Sequence, residues 1–195
     1  EMTSSLVGSE MCIRDRINGV VSEFTSVAIE SQNTSDRNDF NATGISPEVL
    51  ALREEFLSAM KKIGMPESYI DLLLAICMQE SGGRVEDVMQ SSESLGLSPN
   101  TINKSQSIKQ GVKVLWENIQ AIGDKRVEES EERLKTAVQA YNFGSGFISY
   151  AQSKDHKYSK ELAISFSAIQ AGKIGWSSYC LLYTSPSPRD STSSR

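Results

Sequence analysis

Three short clusters in this sequence hold the residue types that acid–base chemistry on a polar substrate would need. The first is Met78-Gln79-Glu80-Ser81-Gly82-Gly83, where a carboxyl group follows a strongly apolar stretch from Leu72 to Met78. Burial disfavours the ionised form of such a group. The negative end of a helix dipole disfavours it again. A carboxyl that keeps its proton near neutral pH acts as a general acid. The plain alternative is a solvated glutamate at a helix end.

The second cluster, Asp87-Val88-Met89-Gln90-Ser91-Ser92, follows within one short loop and brings another carboxylate. In wetter surroundings Asp87 stays ionised. One protonated and one ionised carboxyl are what glycoside hydrolysis requires. Amide and hydroxyl groups such as Gln90 and Ser91 suit a sugar, which presents many donors and acceptors. Read without that partner, Asp87 is a turn or loop cap. The third cluster is Ala140-Tyr141-Asn142-Phe143-Gly144. There an aromatic face packs against a sugar ring and an asparagine hydrogen-bonds its substituents, or, more simply, a core tyrosine precedes an asparagine cap.

Other chemistries find little support. The single histidine, His156, lies in the polar run Ser153-Lys154-Asp155-His156-Lys157 with no nearby cysteine or second histidine to complete a zinc site, and no GxSxG elbow accompanies it. The sequence therefore implies neither a metal nor an organic cofactor. Cys12, Cys77 and Cys180 form no disulfide framework or CxxC knuckle, and Cys77 reads as a buried small hydrophobe. The net charge of -5 and the lack of a basic stripe argue against nucleic acid as a partner. No run approaches the roughly 20 apolar residues of a membrane helix, and no secretory signal pattern is visible.

The elements that must carry these clusters are mainly helical. Ser46-Pro47-Glu48 is a helix start, with a capping hydroxyl, proline at the first position and an acid facing the dipole. Val49, Leu52, Phe56 and Met60 continue it at helical spacing until Gly64. Pro66-Glu67 opens a second helix through Ile70, Leu73, Leu74 and Cys77 to Glu80, apolar nearly all round and therefore central. Residues 84–104 are expected to form an ordered loop, with at most a short hairpin near Val85 to Gln90. Ile108, Val112, Leu115, Ile119 and Ile122 mark a third helix. The charged run Glu128 to Lys135 starts a fourth, which buries Leu134, Val138 and Tyr141 and breaks at Gly144-Ser145-Gly146. A short helix is expected over Phe147 to Ala151. A last one starts at Ser159 and buries Leu162, Phe166 and Ile169.

The two ends look foreign to this pattern. Residues 1–16 and 177–195 resemble translated sequencing-adapter DNA and are set aside as artefact. Residues 17–45 are expected to be a weak helix and a flexible polar linker, and residues 46–176 the catalytic domain.

Taken in order, the three clusters resemble the lysozyme-like superfamily of goose-type lysozymes and soluble lytic transglycosylases. Its members carry Glu-Ser, then Gly-Leu-Met-Gln, then Tyr-Asn-x-Gly. Here these stand as Glu80-Ser81, Asp87-Val88-Met89-Gln90 and Tyr141-Asn142-Phe143-Gly144. The variant DVMQSSES with AYNFG is similar to the muramidase domain of bifunctional cell-wall hydrolases of Gram-positive bacteria, in which a papain-like endopeptidase domain often follows. The likeness covers about residues 46 to 176.

The resemblance implies an α+β lysozyme-like, mainly helical fold and a peptidoglycan hydrolase. Glu80 would be the general acid and Asp87 the second carboxylate, with Glu86 and Glu93 as rivals for the latter role. Ser81, Met89, Gln90, Ser91, Tyr141 and Asn142 would line the glycan. Asp87 stands where transglycosylases carry glycine, which favours hydrolysis by water over attack by the sugar's own C6 hydroxyl. An inverting pair would lie roughly 6.5–9.5 Å apart. A lytic transglycosylase and a non-catalytic glycan-binding module are the alternatives. The protein is expected to be monomeric and to work outside the membrane or on the cell wall, although no export signal is visible in this chain.

Overall fold

The computed structural model describes residues 45–123, 131–154 and 158–173. Among these, seven α-helices and two short 3-10 turns make up the regular structure, and no strand is present. The two terminal segments, the linker, His156, Cys12 and Cys180 lie outside the described residues.

The chain enters through Ser46. Its hydroxyl accepts the Val49 N–H at 3.2 Å and caps α1, Pro47–Leu50. The single helix expected from Ser46 to Gly64 is two. Leu52 N–H reaches back only to Val49 (3.0 Å) and Glu55 N–H only to Leu52 (3.0 Å), a tight turn that interrupts the longer helical ladder. Helix α2, Arg53–Ile63, then runs to Gly64, whose φ of 71° closes it. Its buried face is Phe56, Ala59 and Met60.

Pro66 and a 3-10 turn, Glu67–Tyr69, lead into α3, Ile70–Glu80. Ile70 and every residue from Leu72 to Cys77 are buried, which makes α3 the central helix that its sequence predicts. Asp71 in the first turn and the last turn, Met78 to Glu80, emerge to half-burial. Helix α4, Lys104–Ala121, opens on a reciprocal capping box between Asn103 and Gln106. Ile108, Val112, Leu115 and Ile119 are buried along it, with Ile122 just beyond its end.

Helix α5, Glu131–Phe143, buries Leu134, Ala137, Val138 and Ala140. Helices α6, Gly146–Gln152, and α7, Lys160–Lys173, are joined to its end by aromatic packing. Phe166 sits 5.7 Å from Phe143, 5.3 Å from Phe147 and 5.2 Å from Tyr150, centroid to centroid. The Ser159 hydroxyl accepts the Leu162 N–H at 3.1 Å, as its position before α7 predicts. Ile169 departs from expectation and is 46% exposed. The inward face of α7 runs through Ala163, Phe166 and Ser167, and Ile169 is turned well off that face at 100° per residue.

No strand forms over Val85 to Gln90, within the expectation of at most a short hairpin there. Val88 N–H bonds the Glu86 carbonyl and Gln90 N–H the Asp87 carbonyl, both at 3.0 Å, and Gln90 takes a φ of 47°. These two donors close turns on their own segment, and the Met89 N–H between them goes to the Ser107 hydroxyl, not to a second strand.

Candidate active site

Glu80 is the last residue of α3, half-buried where the apolar helix leaves the core. Ser81 caps the helix and carries the chain around. Its hydroxyl donates to the Val88 carbonyl at 2.8 Å and accepts the Gly83 N–H at 3.0 Å. The turn beyond it needs glycine. Gly82 and Gly83 have φ of 62° and 76°, and a Cβ on Gly83 would lie 3.1 Å from the backbone of Glu48 and Val49. The Ser46 hydroxyl donates to the Gly82 carbonyl at 3.0 Å, so α1 is fastened onto this same turn.

The loop that follows is organised around Asp87, which is 1% exposed. One carboxylate oxygen accepts from the Ser107 hydroxyl at 2.6 Å and the Ser91 N–H at 2.9 Å. The other accepts from the Ser92 hydroxyl at 2.5 Å and the Ser92 N–H at 3.0 Å. Burial pushes the carboxyl up, but the Ser107 and Ser92 hydroxyls and the two N–H groups outweigh it and hold the group below the ordinary aspartate value. Asp87 is thus ionised as expected, but for a different reason: protein donors, not water, solvate it. All four in-plane acceptor positions of this carboxylate are filled from within the protein.

Ser92 extends this arrangement. It is fully buried, and its hydroxyl accepts the Thr101 N–H at 3.1 Å and the Ile102 N–H at 3.3 Å, tying the far end of the loop to Asp87. Ser107, on α4, is equally buried and accepts the Met89 N–H at 2.9 Å. Its carbonyl accepts the Ser91 hydroxyl at 3.0 Å.

Two residues expected to touch glycan are therefore internal. Met89 is fully buried and packs on Gly111, while Ser91 is 2% exposed and its hydroxyl is occupied. The Ser81 hydroxyl is likewise engaged within the loop. Gln90 remains half-buried at the surface of the loop, its amide NH2 donating to the Asp87 carbonyl and to Asn100 Oδ1, each at 2.9 Å. Glu86 is exposed and accepts the Lys104 N–H at 3.4 Å at the start of α4. Glu93 is half-buried on the second 3-10 turn, Ser92–Leu95.

The third cluster closes the arrangement from α5. Tyr141 donates its hydroxyl to the Met89 carbonyl at 2.8 Å. Burial first, then the charges of Glu80 and Asp87, push its phenol well above the ordinary value. Tyr141 therefore stays protonated. Asn142 is half-buried beside it, and Gly144 ends α5 with a φ of 82°. Ser107 and Gly111 had no place in the sequence motifs. A serine and a glycine inside an otherwise apolar helical stripe were the available signal.

A chain with this central helix, acid and loop belongs to the lysozyme-like family, whose model matches residues 46–179. Among its relatives is the bifunctional muramidase/DL-endopeptidase CwlT of Bacillus subtilis (strain 168), 43% identical over 143 residues, which cover 72% of this chain and 40% of that protein. A pneumococcal vaccine antigen A homolog of Streptococcus pyogenes is 40% identical over 108 residues, 54% of this chain and 52% of the relative. A solved structure from Staphylococcus aureus subsp. aureus Mu50, described as similar to lipoprotein of the NLP/P60 family, superposes with a TM-score of 0.57 at 44% identity, over 66% of this chain and 41% of that one. The chain thus spans about half or less of the length of these relatives.

Proposed function

We propose that this domain is an N-acetylmuramidase that cleaves the β-1,4 bond between N-acetylmuramic acid and N-acetylglucosamine in peptidoglycan, with Glu80 as proton donor. One observation carries the reading. Glu80 ends the buried helix α3 within electrostatic reach of Tyr141, whose hydroxyl is fixed on the Met89 carbonyl. The likeness to a bifunctional muramidase supports the same chemistry.

In this reading Glu80 gives its proton to the glycosidic oxygen as the bond to C1 breaks, and the leaving sugar departs as an alcohol. Water then adds at C1 and gives its proton to solvent, from which the Glu80 carboxylate is reprotonated. Gln90, with both amide hydrogens engaged, presents its carbonyl oxygen to a sugar hydroxyl. Asn142 and the Tyr141 ring contribute the opposite wall. The protein acts on glycan strands outside the membrane, as a monomeric domain, in a natural chain that continues into an endopeptidase domain.

The sealed carboxylate of Asp87 supports a second reading on the same site, a lytic transglycosylase. There the C6 hydroxyl of the muramic acid attacks C1, and no base for water is needed. Mass spectrometry of digested cell walls separates the two. Reducing muramic acid ends support the muramidase, and ends lighter by one water support the transglycosylase. Glu80→Gln should lower either yield by roughly 100-fold or more. Clearing at the unchanged rate by that variant would remove Glu80 from the mechanism, and no products from the parent chain would leave only a glycan-binding module.

A further inference from the structure

We propose that Ser107 and Gly111, both on α4, are positioning residues for the glycan-cleaving site, and that Asp87 is the internal anion of the loop they seat and does not touch substrate. The proposal rests on the cleavage reading above, hydrolytic or transglycosylating.

The geometry is specific. Ser107 meets the loop three times: its hydroxyl donates to Asp87 at 2.6 Å and accepts the Met89 N–H at 2.9 Å, and its carbonyl accepts the Ser91 hydroxyl at 3.0 Å. One turn further along α4, a Cβ on Gly111 would fall 2.7 Å from Met89 Cβ and 2.8 Å from its Cγ. Met89 Cβ is rigidly tied to the backbone, so that clash would displace the loop itself. Glycine inside a helix is disfavoured relative to alanine, and here it makes the seat into which Met89 fits.

The seat matters because Met89 carries the signal onward. Its carbonyl receives the Tyr141 hydroxyl at 2.8 Å, and Tyr141 lies in the field of Glu80. Ser81, next to Glu80, donates to the Val88 carbonyl at 2.8 Å on the same loop. The placement of the loop on α4 thus sets the positions of both Tyr141 and the end of α3. A carboxylate with four donors and 1% exposure is suited to hold such a loop and unsuited to receive water.

The test compares the full chain with Ser107→Ala, Gly111→Ala and Asp87→Asn, each well below its melting temperature. Hydrogen exchange at the amides of Met89, Ser91 and Ser92 reads the loop, and kcat and KM on purified glycan strands read the consequence. The expectation is faster exchange at these amides in all three variants, unchanged protection in α3 from Leu73 to Cys77, and a fall of roughly 100-fold in kcat with KM moving far less. Unchanged loop exchange in Ser107→Ala overturns the anchoring. Wild-type kcat in Ser107→Ala beside an inactive Asp87→Asn overturns the assignment of Asp87, because the carboxylate would then act on substrate itself. A parent chain that cleaves no glycan refutes the cleavage reading and the catalytic half of this proposal, while the exchange data still decide whether α4 holds the loop.

Discussion

A carboxylate that solvent does not reach must find its donors inside the protein. Asp87 finds them in three serines, and among the described residues no lysine or arginine forms an ion pair with it. Its pKa is depressed in the folded state. The stabilisation is therefore present above the unfolded-state value of about 3.9 and is lost as pH falls through the lower folded value. Thermal melts across the acid range should show the transition dropping in that window, and Asp87→Asn should flatten this part of the profile. At neutral pH an asparagine would turn its NH2 toward donors, orphaning at least one. Urea denaturation should record a loss of about 3 kcal/mol. Cys77 illustrates the opposite balance. Burial, with Glu80 adding to it, pushes its thiol up to about 12 despite the Ser81 hydroxyl. Peptide mapping after alkylation of the native chain at pH 8 should find Cys77 unmodified, and modification comparable to a free thiol would contradict its burial.

At the scale of elements, periodicity located the helices, because a buried stripe at 3.6-residue spacing leaves the same imprint wherever the partner lies. The α4 stripe from Ile108 to Ile119 and the apolar α3 are both found where their residues predict. The α1–α2 break was not legible, since Val49 and Phe56 remain in phase across it while the tight turn is a property of the backbone. Ile169 misled for a related reason: an apolar residue at helical spacing need not find a neighbour. What holds α7 is Phe166 among Phe143, Phe147 and Tyr150. Phe166→Ala should cost about 3–5 kcal/mol, measured as a lower urea midpoint. The cap on α4 is a smaller matter. Asn103→Ala removes its acceptor for the Gln106 N–H and should cost about 1 kcal/mol.

For the molecule as a whole, the net charge of -5 and the sequence's want of a basic stripe lead us to expect little counterion-release drive toward nucleic acid. Duplex DNA should show no gel shift with this chain at physiological salt, and a salt-sensitive shift would point to a surface that the charge pattern does not suggest. The sequence by itself determined the helical class, the central helix and the order of the three clusters, because hydrophobic spacing and helix punctuation are local and survive in one dimension. It also brought Glu80 and Tyr141 forward as candidates. Only the tertiary structure decided which polar residues face inward. Asp87 and Ser91 look exposed when judged by type and neighbours, and nothing in the sequence marks the seat that Met89 fills. Their burial depends on Ser107 and Gly111, which stand some twenty residues downstream and meet the loop only once α4 packs against it. Burial of a polar group is a relation between distant segments, and chain order does not record it.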